Sequence, residues 1–133
     1  CTRAAEVLRA TILLDAYEGN GVGVGALAIG LARAAYDAAL EYAQGRVVWG
    51  RPIIEYESVA GKLADMRMQI EAARALVWKM AWAAEHPEAS GGLNKLGTMA
   101  KIFPASLVRG IVASAMDIYG GAGVRQQFDC RYS

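Results

Sequence analysis

The chain is poor in the residues that form most catalytic and metal sites. It has one histidine and two cysteines among 133 residues. We find no Ser/His/Asp or Cys/His constellation and no metal-ligand cluster with plausible spacing. Cys1 and Cys130 form no ligand pair and no disulfide framework, which favours reduced thiols in a cytosol-like compartment.

Excess charge, proline and long uncharged apolar runs are also scarce. A net charge of +1 gives no electrostatic argument for nucleic-acid binding. Three prolines and 55% hydrophobic residues argue against a disordered chain and favour a single packed domain. The nearest membrane-span candidate, residues 19–32, is shorter than the roughly 18 residues required. The chain has no initiator Met, signal peptide or closing cap pattern, so we expect a piece of a longer polypeptide.

Three long helical runs dominate the sequence and predict an all-α, up-down helical bundle. The clearest run follows Pro52, and its apolar residues alternate by four and three positions, which keeps one stripe facing a neighbouring helix. These residues are Val59, Leu63, Met66, Ile70, Ala73, Val77, Met80 and Ala84. Charged residues occupy the opposite face: Lys62, Asp65, Arg67, Glu71, Arg74 and Lys79. No segment alternates with period two for long enough to predict a strand.

The other two runs have similar spacing. The first covers about residues 20–44, with Leu27, Leu31, Ala34, Ala38 and Tyr42 on one side. The third has apolar or small residues at Leu93, Leu96, Ala100, Phe103, Leu107, Ile111, Ser114 and Ile118. We expect Pro104 to kink or interrupt it, Gly120-Gly121 to end it, and His86 to cap the preceding helix. A shorter helix-like segment covers residues 4–17.

The glycine-rich segment 19–25 has two interpretations. The pattern Gly23-x-Gly25-x-x-Ala28 formally fits a dinucleotide fingerprint, which would require a strand before it and a parallel sheet around it. Because everything downstream is helical, we favour glycines that permit close helix packing or begin a helix. A nicotinamide-binding domain is the minor alternative and predicts substantial β-structure.

The segment 46–52, Arg-Val-Val-Trp-Gly-Arg-Pro, connects the first two runs. Most helix-to-helix turns in a bundle are short and polar and only reverse the chain. This turn instead combines Arg46 and Arg51 with Trp49 and Gly50. Because a guanidinium pairs with phosphate in a two-pronged geometry, we predict that the turn holds a flat anionic group.

Five motifs follow one another along the chain. They are Arg46-Val-Val-Trp-Gly-Arg-Pro-Ile, Lys62-Leu-Ala-Asp-Met, Ile70-Glu-Ala-Ala-Arg74, Met99-Ala-Lys101 and Asp117-Ile-Tyr-Gly-Gly-Ala-Gly123. In this order and at these separations they resemble the C-terminal helical domain of the acyl-CoA dehydrogenase family. On this resemblance, residues 1–133 form that bundle domain, truncated before its final helix.

The resemblance implies a three-part enzyme that binds FAD and removes hydrogens from Cα and Cβ of an acyl-CoA thioester. It implies that Arg46, Trp49 and Gly50 reach the adenosine diphosphate end of an FAD held mainly by a partner subunit. Gly120 and Gly121 would lie near the same diphosphate. It further implies dimers or tetramers, an electron-transfer flavoprotein-like acceptor, and a cytoplasmic location, or the mitochondrial matrix in a eukaryote.

Some positions depart from the family's pattern. Trp49 stands where phenylalanine is usual, and Glu57 and Asp117 stand where glutamines usually serve the flavin. Two carboxylates beside a diphosphate should repel it, unless they bind ribose hydroxyls or a cation such as Arg51 offsets them.

We assign no catalytic residue in this chain. The family's catalytic glutamate normally follows the position where the chain stops, and its alternative location falls on Asn20, which cannot act as a base. Glu18 is near that location but is not assigned. We therefore expect the fragment alone to be inactive and to supply an oligomer interface and part of the FAD site. The alternative is a non-catalytic assembly subunit of a heteromeric dehydrogenase-like complex, which the acidic Glu57 and Asp117 favour.

Overall fold

The computed structural model describes residues 21–86 and 93–123, with the side chains of residues 93–96 excepted. These ranges contain three long helices: α1 (Gly21–Gly45), α2 (Glu57–Glu85) and α3 (Leu93–Tyr119). The predicted all-α bundle is confirmed. The helix-like segment predicted over residues 4–17 and both cysteines lie outside the described residues.

Helices α1 and α3 run in the same direction, and α2 runs opposite to both. Gly25, near the start of α1, lies against Ala100 of α3, and Ala38, later in α1, accepts a hydrogen bond from Tyr119 at the end of α3. Val77, well along α2, also contacts Gly25. The order is therefore the up-down order predicted from the short connections.

The apolar stripe predicted on α2 faces the core. Six of its members are buried: Leu63, Met66, Ile70, Ala73, Val77 and Met80. Val59 is half-buried, and Ala83 rather than Ala84 is buried at the end of the helix. This shift is expected because a seven-residue apolar pattern drifts by about 20° per repeat around a straight α-helix.

The larger apolar residues of α1 lie mainly in solvent. Leu27 is 77% exposed and Leu31 is 56% exposed. The buried side of α1 carries small residues and one isoleucine: Gly21, Gly25, Ile29, Ala32, Ala39 and Ala43. Close backbone approach thus selects the narrow side of α1 for the core, and the stripe with the larger side chains remains uncovered.

The core positions of α3 are shifted relative to the predicted stripe. The buried residues are Gly97, Ala100, Pro104, Leu107, Ile111, Ala115 and Ile118. Phe103 is 42% exposed, and Ser114 is half-buried. The neighbours Pro104 and Ala115 occupy these two core positions because they fit the close contacts between helices.

Pro104 does not interrupt α3, which continues from Leu93 to Tyr119. Of the predicted kink or interruption, the interruption is therefore wrong and the kink stays a prediction. Because proline has no amide hydrogen, the carbonyl of Ala100 lacks its usual donor within the helix. A Cβ built on Gly25 would lie 2.5 Å from that carbonyl oxygen, so a Cα hydrogen of Gly25 points at it. The close approach of α1 thus supplies a weak donor where α3 has none.

Two described segments, Gly21–Gly45 and Gly97–Ala122, are long and apolar enough to cross a membrane by length and composition alone. Neither segment is an uncharged run of this length, because charged residues interrupt both. Both segments pack together in one bundle, and core helices of globular proteins meet the same criterion. They are therefore weak indications of a membrane span.

Candidate functional site

The segment 46–52 forms a small β-hairpin between α1 and α2. Strands β1 (Val47–Val48) and β2 (Arg51–Pro52) pair antiparallel. The two turn residues have positive φ, 53° at Trp49 and 81° at Gly50, which is typical of a type I′ turn. The prediction of no strand is wrong here because two-residue strands show no period-two pattern and Trp-Gly is not the usual hairpin signal.

Trp49 is unfavourable within this chain for two reasons. A left-handed backbone costs a non-glycine residue roughly 1–2 kcal/mol. The residue is also 92% exposed, so its indole gains almost nothing from burial among the described residues. Strained, exposed positions of this kind are concentrated at ligand-binding sites. Trp49 is therefore a candidate contact for a group outside this chain.

Arg46 has a fixed backbone and an exposed side chain. Its amide donates to the carbonyl of Tyr42 at 2.9 Å, and its carbonyl accepts from the amide of Ile53 at 2.8 Å. Within residues 21–86 and 97–123, no hydrogen bond or ion pair engages its guanidinium. Arg46 can therefore contact an external anion through both prongs of the guanidinium, beside Trp49.

Tyr56 attaches the hairpin to the start of α2. Its hydroxyl donates to the carbonyl of Val48 at 2.9 Å, and the guanidinium carbon of Arg51 lies 4.1 Å from the centre of its ring. Arg51 therefore makes a cation–π contact, and no ion pair joins it to Glu57 or Asp117 in the described part of the chain.

The glycine pair after α3 lies at the same end of the bundle as the hairpin. Gly120 has a φ of 56°, and residues Gly120–Ala122 form a short 3₁₀ turn after Tyr119, as the predicted helix stop requires. Tyr119 donates to the carbonyl of Ala38 at 2.9 Å, and its ring lies 4.5 Å from that of Tyr42. Arg46 follows Tyr42 by one helical turn, so the two predicted parts of the site share this end.

We call this region the hairpin end, defined by residues 46–52 and 120–122. A Cβ built on Gly120 or Gly121 would meet no atom within 4 Å, so the space beside both backbones is open. Backbone amides beside glycines can approach a phosphate closely. An exposed guanidinium, an exposed indole and an open glycine pair fit a ligand with a diphosphate and a flat ring.

The two carboxylates that depart from the family's pattern have different surroundings. Glu57 is exposed in the first turn of α2, where a negative charge is favourable near the helix N-terminus. Asp117 Oδ2 lies 3.1 Å from the ammonium of Lys62, across α2 and α3. The cation that offsets Asp117 is therefore Lys62 and not Arg51.

Lys62, Tyr56 and Tyr119 were not singled out as site residues from the sequence. The spacing of Lys62 predicts a polar face of α2 toward solvent or a polar interface, and it gives no sign of a partner 55 residues away. The two tyrosines act through bonds to carbonyl groups distant in sequence, at Val48 and Ala38. Only the packing of the helices brings these groups together.

Three other sequence predictions concern the cap at His86, the glycine pattern of α1 and metal-ligating groups. His86 caps α2 as predicted: its Nδ1 lies 3.0 Å from the carbonyl of Trp82, and the two rings stack at 4.7 Å. The pattern Gly23-x-Gly25-x-x-Ala28 lies inside α1, whereas the dinucleotide fingerprint requires these glycines in the turn between a strand and a helix. Within the described residues, no group of three or more metal-ligating side chains exists.

The prediction that this chain holds no catalytic base is untested. Glu18 and Asn20, where the family's alternative base would fall, are outside the described residues.

Comparison with known proteins gives a consistent result. The family model "Acyl-CoA dehydrogenase, C-terminal domain" matches residues 13–130. A probable acyl-CoA dehydrogenase of Bacillus subtilis, YngJ, is 36% identical over 111 residues, which are 84% of this chain and 28% of that protein. A 3-sulfinopropanoyl-CoA desulfinase of Paraburkholderia xenovorans is 38% identical over 112 residues, 84% of this chain and 28% of that protein.

A solved structure of a further acyl-CoA dehydrogenase has the same fold. Butyryl-CoA dehydrogenase of Megasphaera elsdenii superimposes with a TM-score of 0.83 and 34% identity, over 90% of this chain and 30% of that one. The chain thus spans less than a third of the length of these relatives. Sequence, fold and motif order agree, and the chain belongs to the acyl-CoA dehydrogenase family, whose C-terminal helical domain it represents.

Proposed function

We propose that this chain supplies half of an FAD site in a larger acyl-CoA dehydrogenase-type enzyme. The hairpin end would contact the adenosine diphosphate part of an FAD held mainly by a partner subunit. The observation that carries the proposal is that exposed Arg46 and Trp49 lie at the same end of the bundle as the open Gly120–Gly121 backbone.

In this role the chain binds and orients the cofactor and does no chemistry itself. Arg46 would pair with the diphosphate, Trp49 would cover a flat ring, and the backbone at Gly120 and Gly121 would approach the phosphate oxygens. FAD, when bound, supplies the acceptor for a hydride from Cβ of an acyl-CoA thioester. Two relatives have names that specify CoA thioesters, which supports this substrate class for the parent enzyme.

Replacement of Arg46 by Ala in the full-length protein tests the cofactor role. We expect the affinity for FAD to fall roughly 10- to 150-fold, because a charge-assisted bidentate contact contributes about 1.5–3 kcal/mol. Arg46→Lys should lose part of this affinity, since lysine keeps the charge without the two-pronged geometry.

Flavin absorbance per polypeptide after gel filtration measures FAD retention in this experiment. Arg109→Ala, an exposed arginine of α3 more than two turns before Gly120, is the matched control and should retain wild-type flavin. Unchanged flavin occupancy in Arg46→Ala would contradict the proposed half-site.

The same experiment separates the alternative of a non-catalytic assembly subunit, which the exposed Glu57 favours. A full-length protein without flavin would support that alternative and would exclude the flavoenzyme. An enzyme with flavin would further require an electron acceptor resembling electron-transfer flavoprotein, and we expect it to act in the cytoplasm or mitochondrial matrix.

We also propose that the uncovered stripe of α1 forms a subunit interface in a dimer or tetramer. Val24, Leu27 and Leu31 follow one another at helical spacing and are 37%, 77% and 56% exposed. Apolar stripes of this kind on globular proteins commonly mark protein–protein contacts. Since the cofactor is expected to be shared between subunits, self-association would complete the site.

Leu27→Glu tests the interface, because a buried, unpaired carboxylate in an apolar contact is strongly unfavourable. The full-length variant should shift toward smaller species in analytical ultracentrifugation and should lose flavin with them. Gln69→Glu adds the same charge at an exposed position of α2 and should leave the assembly intact. An unchanged sedimentation coefficient for Leu27→Glu would exclude this stripe from the interface.

A further inference from the structure

The ion pair between Lys62 and Asp117 contradicts what each helix would favour alone. Asp117 lies in the last turn of α3, where the helix dipole disfavours a negative charge. Lys62 lies in the second turn of α2, where the nearby helix N-terminus gives a positive charge no stabilisation. The position of each charged residue is therefore explained by its partner on the other helix and by the groups that lie close to the pair.

The pair is placed beside the proposed cofactor site. Asp117 precedes Gly120 by less than one helical turn, and Lys62 follows the hairpin by ten residues at the same end of the bundle. The pair is partly exposed, 45% at Lys62 and 67% at Asp117. Exposed pairs stabilise a fold only slightly, so the stability of the bundle alone does not account for it.

We propose that Lys62 is a positioning residue for the cofactor half-site, which admits a dinucleotide diphosphate beside Gly120–Gly121 by neutralising Asp117. This inference rests on the proposed function. Without Lys62, the carboxylate of Asp117 would repel the diphosphate. With it, the pair is neutral, and Arg46 is left to attract the anion.

The sequence suggested Arg51 as another cation that could neutralise Asp117, but the structure places Arg51 elsewhere. Arg51 is held over the ring of Tyr56, and the described ion pairs include no other partner of Asp117. The remaining carboxylate, Glu57, lies at the N-terminus of α2, where the helix dipole already compensates it. Among the described residues, Lys62 is thus the cation that neutralises Asp117 near the glycine pair.

A double-mutant cycle in the full-length protein tests this inference. An uncompensated charge about 8 Å from a doubly charged diphosphate weakens binding on the order of fivefold in water. Lys62→Gln should therefore raise the dissociation constant for FAD by about that factor. The double variant with Lys62→Gln and Asp117→Asn should return the dissociation constant for FAD to the wild-type value. The single variant Asp117→Asn should bind FAD at least as tightly as wild type. The loss should also shrink as salt is added, because the interaction is screened.

Two further measurements separate positioning from simple structural support. The thermal midpoint of the apoprotein should be nearly unchanged in Lys62→Gln, since an exposed pair contributes about 0–1 kcal/mol to stability. Arg33→Gln breaks another exposed pair, Arg33–Asp37, more than three turns from Arg46, and should leave the FAD dissociation constant unchanged.

The outcomes distinguish this inference from the proposed function. If Arg46→Ala weakens FAD binding while Lys62→Gln does not, the role of Lys62 is overturned and the half-site stands. If the double variant binds as weakly as Lys62→Gln, then Lys62 contacts the cofactor or supports the fold and does not act through Asp117. If neither Arg46→Ala nor Lys62→Gln changes binding, the half-site itself is wrong.

Discussion

The two ends of the bundle are built in different ways. At one end Gly21 and Gly25 lie so close to α3 that a Cβ on either would fall within 3 Å of a carbonyl oxygen, at Gly97 and Ala100 respectively. We call this the packed end. The hairpin end instead has an exposed tryptophan with positive φ, an exposed arginine and open glycines. Glycine thus permits close helix packing at one end and leaves open space beside the backbone at the other.

We therefore expect the packed end to determine the stability of the domain and the hairpin end to determine ligand binding. Substitutions at the packed end should unfold the domain without any specific effect on a ligand. Substitutions at the hairpin end should change ligand binding with little loss of stability, because its side chains make few contacts within the chain. Two single substitutions, Gly25→Ala at the packed end and Trp49→Asn at the hairpin end, test this expectation together with their controls.

The largest expected effect is that of Gly25→Ala. The added Cβ would lie 2.5 Å from the carbonyl oxygen of Ala100 and 2.7 Å from Cγ2 of Val77, and backbone cannot yield cheaply there. We expect a loss of about 2–4 kcal/mol in the free energy of unfolding. Thermal and urea unfolding of the full-length protein measure it, and flavin should be lost only as the protein unfolds.

Gly23→Ala is the matched control for that change. Gly23 lies in the same helix two residues earlier, and a Cβ there would meet nothing within 4 Å. Since alanine is favoured over glycine in a helix, this variant should be more stable by up to about 1 kcal/mol. Equal effects of the two substitutions would show that close approach of α3 does not constrain α1.

A smaller effect of opposite sign is expected for Trp49→Asn. Asparagine tolerates the left-handed backbone better than tryptophan, so the hairpin should gain about 0.5–1 kcal/mol of stability. The same change removes the exposed indole and should weaken FAD retention. Unfolding curves measure the gain in stability, and flavin content measures the loss of FAD retention, both on the same full-length samples.

The control for Trp49→Asn is Trp78→Asn on α2. Trp78 is also largely exposed, at 74%, but lies within a helix and away from the hairpin. This variant should retain flavin and should show no gain in stability. Loss of flavin in both variants would mean that indole exposure in general, and not the hairpin, governs the result.

Much of the architecture could be predicted from the sequence because it depends on local patterns. The stripe from Leu63 to Met80 on α2, the helix stop at Gly120 and the cap by His86 follow from spacing and residue type alone. The predicted anion-binding role of the hairpin rests on Arg46 and Trp49 and stays a prediction. Its backbone could not be predicted, since two-residue strands leave no periodic signal.

What the sequence by itself determined was therefore three amphipathic or small-residue helices and one unusual turn with an arginine and an indole. Only the tertiary structure decided which side of α1 is buried, because Leu27 and Gly25 compete for the core and backbone proximity favours the glycine. It also joined Gly25 to the carbonyl that Pro104 leaves without a donor, and Lys62 to Asp117. Such pairs form between residues distant in sequence, and a local pattern cannot specify contacts that exist only after the helices pack.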